Sequence, residues 1–99
     1  TGRQVKADEA LRIGLADEVV APEQLHDRAL ELASELAKGA LAAQGLAKHA
    51  IDTGLSTSLS DGLKTEIDDF VEVFGTDDSQ IGVKSFLENG PGKAEFTGR

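Results

Sequence analysis

Leu59, Leu63, Ile67, Phe70, Val71 and Phe74 recur mostly at steps of three and four and stop at Gly75. That spacing lines one face of an α-helix and excludes a half-buried strand, whose apolar residues would alternate. The pattern repeats along the chain. Leu25, Ala29, Leu32, Ala33, Leu36 and Ala37 run up to Lys38-Gly39, a cationic end and a stop. Pro22 stands where the first residue of that helix is expected, since its missing N–H is not needed there. A third helix is predicted from about Ala40 to Thr53, with Leu41, Ala47, Ala50 and Ile51 apolar and Gly54 as its end. A fifth carries Ile81, Val83, Phe86 and Leu87 and breaks at Asn89-Gly90-Pro91-Gly92.

The helix starts are also legible. Ser58 with Asp61 three residues on reads as a capping pair, and Thr76 before Asp77-Asp78 as a second cap. Asp8 and Glu9 favour the positive end of a short first helix, which Gly14 stops after Ile13. The β-branched Val19-Val20 predicts one very short strand. Gly45 inside the third helix costs about 1 kcal/mol against Ala, so a close neighbour or a weak point is expected there. The expected fold class is mainly α: about five short helices with one very short strand.

Size limits how far such helices can stabilise one another. A chain of 99 residues forms one domain at most, and buries roughly 60–65% of its unfolded surface. Its apolar residues, 39% of the total, are mostly small aliphatics with only four Phe, so a partner surface would help its core. There is no Met and the chain opens on Thr1, so it is expected to be a processed or cut piece, with partners for its strand elsewhere. No basic start with an apolar run and no stretch of roughly 20 apolar residues occurs, which argues against a leader and a membrane span. The lack of Cys excludes disulfides and thiol chemistry and fits a reducing, cytoplasmic setting. A net charge of −8 repels phosphate backbones, so nucleic acid is a poor partner.

Little in the chain reads as catalytic. His26 and His49 stand apart on polar helix faces, where solvated surface is the plainer role, and no ligand cluster for a metal occurs. Asp68-Asp69 and Asp77-Asp78 are sequence neighbours, which point about 100° apart on a helix and converge poorly on one substrate. A structural task at a helix N-terminus suffices for Asp77 and Asp78. No phosphate-binding glycine loop or nucleophile elbow is present. Ser79 after Asp78 resembles the Asp-Ser pair of acyl carrier proteins, but Gln80 replaces the expected Leu, and Ser79 suits a partner of the Thr76 cap.

The order of short motifs is more specific than any one of them. Thr1-Gly2-Arg3, Ala7-Asp8-Glu9-Ala10 and Gly14-Leu15-Ala16-Asp17-Glu18-Val19-Val20 resemble the opening run of the C-terminal part of the enoyl-CoA hydratase/isomerase (crotonase) family. Leu46-Ala47-Lys48-His49-Ala50-Ile51, Ser58-Leu59-Ser60-Asp61-Gly62-Leu63 and Phe74-Gly75-Thr76-Asp77-Asp78 continue the match. So do Gly82, Ser85-Phe86-Leu87-Glu88 and the closing Phe96-Thr97-Gly98-Arg99.

The resemblance implies that residues 1–99 are the C-terminal helical domain of a crotonase-type enzyme, lacking a preceding spiral α/β domain. It implies a homo-oligomer, trimer or dimer of trimers, with acyl-CoA as substrate and no other cofactor. The parent reaction implied is hydration of a 2-trans-enoyl-CoA in fatty acid metabolism. The family's oxyanion hole and its two glutamates belong to the spiral domain, so no catalytic residue carries over. Two binding residues do. Phe70 matches an aromatic position near the adenine end of CoA, and Lys93 is the one cation near a basic segment that contacts CoA phosphate. That segment departs from the pattern, reading Glu88-Asn89-Gly90-Pro91-Gly92-Lys93, and Ile81 stands where many members have Glu. The plainer readings are core packing for Phe70, which shares a stripe with Ile67 and Phe74, and an ordinary tail lysine for Lys93.

Three other readings stay open. Isomerases and dehydratases of the same family share this tail. A stand-alone helical interaction module would show the same amphipathic helices. A carrier protein would use Ser79.

Overall fold

The computed structural model describes residues 2–99; Thr1, the first residue of the opening motif, lies outside them. Among the described residues there are five α-helices: α1 (Ala7–Arg12), α2 (Leu25–Ala37), α3 (Leu41–Gly54), α4 (Leu59–Val73) and α5 (Asp77–Asn89). A single 3-10 turn, Pro22–Gln24, precedes α2. Pro22 therefore opens this turn, and the α-helix proper begins three residues later, at Leu25. None of these helices is long and apolar enough to cross a membrane.

The chain divides into two compact units, residues 1–32 and 33–99. In the first, Asp8 and Glu9 occupy the first turn of α1 and Arg12 the last, matching the helix dipole. Gly14, at φ 73°, turns the backbone into the left-handed region that ends the helix. Leu15 N–H then closes onto Ala10 C=O at 2.8 Å. The strand expected at Val19-Val20 does not form, and no strand occurs among the described residues. A strand is stabilised by a neighbour's ladder of hydrogen bonds, and none runs beside this segment. A side chain fastens it instead: Arg28 of α2 donates to Glu18 at 2.7 Å, and also to Glu31 within its own helix at 2.8 Å. Those carboxylates raise the Arg28 guanidinium above its ordinary value, Glu18 contributing most. At the other end Arg3 forks onto both Glu9 oxygens at 2.7 Å, which holds the Glu9 carboxyl below its usual range.

The second unit is built on an antiparallel hairpin of α3 and α4, the one extensive helix–helix contact among the described residues. Ser58 caps α4 as its sequence suggests: its Oγ accepts from Asp61 N–H at 3.2 Å and donates to the Asp61 carboxylate at 2.7 Å. The close approach sits at Gly62, where a Cβ would stand 3.0 Å from Gly54 Cα. Gly45, where a close neighbour or a weak point was expected, has nothing near a hypothetical Cβ and lies inside a continuous helix.

Thr76 caps α5 through its hydroxyl, which accepts from Ser79 N–H at 3.1 Å. Ser79 is committed to that turn, its own hydroxyl donating to Thr76 C=O at 2.8 Å. Gly90, at φ 81°, ends α5 where Asn89-Gly90 predicts it. The tail beyond returns to the start of α5. The Asp78 carboxylate accepts from Thr97 N–H at 2.6 Å, the Thr97 hydroxyl at 3.0 Å and Gly98 N–H at 2.8 Å. Asp78 N–H donates in return to Arg99 C=O at 2.9 Å. Burial pushes the Asp78 carboxyl up, but the donors of Thr97, Gly98 and Arg99 outweigh it and hold the group below the ordinary carboxylate value.

No hydrophobic side chain among the described residues is buried; the buried ones are Asp69 and Asp78, at 8% and 1% exposure. The chain exposes 8050 Å² to solvent, where a folded monomer of its mass exposes about 5,400 Å². Phe70, expected in a core with Ile67 and Phe74, is 62% exposed, and so are its two stripe neighbours at 63% and 53%. The amphipathic face of α4 is wider than α3 alone can cover.

Candidate functional site

The uncovered face of the α3–α4 hairpin forms a trough of about 640 Å³. Leu46 and Ile51 of α3 and Leu63 and Phe70 of α4 give it apolar walls, and the glycines at 54 and 62 bring those walls together at one end. Glu66 and Asp69 are its only polar lining residues. Phe70 stands at the rim with Phe74, ring centres 5.1 Å apart and planes at 83°, an edge-to-face pair. Such a surface takes an apolar or aromatic body, with Phe70 offering a ring face for stacking.

One polar contact ties the hairpin together beside this trough, through the lining residue Asp69. His49 Nδ1 lies 2.7 Å from Asp69 Oδ2, and since a carboxylate only accepts, the ring nitrogen donates. Expected as solvated surface, His49 is indeed 59% exposed at its side chain, yet it satisfies a carboxylate of 12% exposure. The pairing follows from hairpin register. Gly54 and Gly62 lie four residues either side of Ser58, and His49 and Asp69 ten either side of Leu59. Residues equidistant from an antiparallel turn meet, so the glycines carry the signal that could have found the pair. Without the loop's centre fixed, sequence reading treats the two as unrelated.

Lys93 lies elsewhere. It belongs to the loop after α5 and lines a second depression of about 440 Å³ with Lys38, Gly82, Ser85, Phe86 and Phe96. No lining residue is shared with the trough, so the structure does not bring Phe70 and Lys93 into one concavity. Two features of this depression escape sequence reading: the second cation, Lys38, and the buried Ser85 hydroxyl, which has no hydrogen-bond partner. Among the described residues no three His, Cys, Asp or Glu side chains stand close enough to hold a metal ion.

A helical hairpin with an open apolar trough is followed by a capped helix and a returning tail. The family model for enoyl-CoA hydratase/isomerase matches residues 1–99, and the chain belongs to that family. It is 39% identical over 88 residues to a short-chain-enoyl-CoA hydratase of Clostridium acetobutylicum, covering 89% of this chain and 34% of the relative. A probable enoyl-CoA hydratase of Rhizobium meliloti is 39% identical over 99 residues, all of this chain and 38% of the relative. Among solved structures, an enoyl-CoA hydratase subunit from Geobacillus kaustophilus superimposes with a TM-score of 0.87 at 32% identity, covering 99% of this chain and 37% of that one. The enoyl-CoA hydratase of Bacillus anthracis gives 0.83 at 33% identity, with the same coverage of each chain. The chain thus spans somewhat over a third of the length of the proteins it matches.

Proposed function

We propose that this chain is the C-terminal helical domain of an enoyl-CoA hydratase, covering the acyl-CoA site and carrying subunit contacts, and catalytically incomplete by itself. The observation behind this is the open apolar trough of α3 and α4, with no hydrophobic side chain buried among the described residues. Helices with such a face are stabilised by a surface laid against it. Relatives that carry the hydratase name extend well beyond the region they share with this chain. A spiral domain of about 160 residues or more, an ordinary domain size, would supply both the cover and the catalysis.

In this reading the parent protein adds water reversibly across a 2-trans-enoyl-CoA in the cytoplasm, as a trimer or dimer of trimers, with acyl-CoA its substrate and no further cofactor. Electrostatic stabilisation of the enolate and activation of water fall to the spiral domain. This chain's own part is binding and exclusion of water. Phe70 offers a flat apolar face to the adenine of CoA, and Lys93, exposed and without an ion pair among the described residues, offers a charge to a CoA phosphate. The two groups act on different parts of the ligand, in keeping with their separate concavities.

The test compares the full-length protein with the pure 99-residue chain on crotonyl-CoA. Hydration is expected from the former and none above background from the latter. Turnover by the short chain would refute the division of labour, and double-bond migration in place of hydration would replace the hydratase assignment with an isomerase one.

A further inference from the structure

After α5 the backbone reverses at Gly90-Pro91-Gly92, with both glycines at positive φ, 81° and 71°. The helix it leaves is 13 residues long, about 20 Å at 1.5 Å per residue. The ten residues that follow could reach roughly 33 Å if extended, enough to travel back to the helix start. They do so. Phe96 lies over Gly82, 3.4 Å from where a Cβ would be, and Gly98, at φ 81°, sits 3.3 Å by the same measure from Leu41 of α3. The tail then ends on Asp78.

The grip is concentrated at one point. A single carboxylate accepts three hydrogen bonds from Thr97 and Gly98, and the same residue's N–H holds Arg99. Beyond this the tail places the Phe96 ring on Gly82 and Gly98 beside Leu41, two small apolar contacts. Two further facts make release a local event. The start of α5 is capped by Thr76 independently of the tail, so undocking leaves that cap in place. Beneath the tail, Ser85 keeps its hydroxyl buried and unpartnered in the depression that Phe96 helps to wall. Opening of the tail would let water reach that hydroxyl.

We propose that residues 93–99 form a strap that opens and closes as a unit on Asp78 while α5 stays helical, and that its closure shields Ser85 of the depression from solvent. The device is independent of which acyl-CoA reaction the whole protein performs. It is one of the local opening units expected where backbone hydrogen bonds are few and apolar cover is thin.

Hydrogen exchange on the full-length protein tests it. In Asp78→Ala the amides of Thr97 and Gly98 should exchange faster by about tenfold or more, the scale of a hydrogen bond to a charged group. The amides of Ser85 to Glu88 should stay within about twofold, since local opening leaves other units protected. In the unmodified protein, low denaturant should accelerate the α5 amides while leaving Thr97 and Gly98 unchanged. The thiol introduced by Ser85→Cys, the only one in this chain, should be labelled about tenfold faster when combined with Asp78→Ala, in step with the tail amides. Loss of α5 protection together with the tail, or one shared denaturant dependence for both, would overturn the strap. Equal labelling with and without Asp78 would overturn its shielding of residue 85. Should Asp78→Ala fail to fold, the denaturant series on the unmodified protein decides between a separate strap and a single unit.

Discussion

Gly62 of α4 faces Gly54 of α3 so closely that a methyl group on Gly62 would stand 3.0 Å from the opposing Cα. Backbone cannot yield as a side chain does, so Gly62→Ala must part the helices at the loop end of the trough. The expected cost is about 1–3 kcal/mol, the range for overpacking. Gly45→Ala, with open space around it, should instead stabilise by up to about 1 kcal/mol through helix propensity. Urea denaturation of the two variants checks the contrast, and a neutral Gly62→Ala would contradict the close approach.

The His49–Asp69 contact should register as a coupling between the helices. His49 is more than half exposed, so solvent screens the pair, and a double-mutant cycle of His49→Ala and Asp69→Asn should give about 0.5–1 kcal/mol. A coupling of zero would mean that the two side chains do not hold each other in solution.

Acid should release the tail. Because the folded Asp78 carboxyl lies below its ordinary value, its stabilising contribution is complete above the unfolded carboxylate value, about pH 4. It is lost as pH falls further, through the depressed folded value. Exchange of the Thr97 and Gly98 amides, corrected for intrinsic rates, should therefore show constant protection from neutrality to about pH 4 and a decline below it. Loss of protection between pH 5 and 7 would point to a different group.

Exposed Leu59, Phe70, Val71 and Leu87, each above 60% accessible, should make the isolated 99-residue chain self-associate or bind a hydrophobic dye. Light scattering and dye fluorescence measure this directly. A monodisperse, dye-silent monomer would argue that these faces need no cover.

In the full-length protein, Phe70→Ala should raise KM for enoyl-CoA several-fold with kcat little changed, the pattern of lost uniform binding. Lys93→Ala should act in the same sense and show a stronger salt dependence in the unmodified protein than in the variant. A fall in kcat with KM unmoved would place Phe70 in a structural role.

The helix boundaries were the most legible part of the sequence, because they depend on residues a few positions apart. Ser58 with Asp61, Thr76 with Ser79 and the turn at Gly14 all stand as their chemistry suggests. Contacts between segments were not legible in that way. The Asp77-Asp78 pair reads as helix-start acid, and nothing local says that Asp78 reaches across 19 residues to Thr97. Val19-Val20 has strand propensity but no neighbouring ladder, so tertiary context prevails over propensity. Phe70 reads as core by its stripe, yet a stripe shows only that a face is apolar, and here α3 covers part of it while Phe70 faces outward.

That no hydrophobic side chain among the described residues is fully buried also bears on calorimetry. Unfolding this chain alone would expose less new apolar surface than is usual for 99 residues, so its heat-capacity increment and its denaturant slope should both fall below the usual values. Its melting would be broad and shallow. A sharp transition would be a property conferred by whatever lies against the hairpin, and the sharpness of melting would then report on docking more than on the helices themselves.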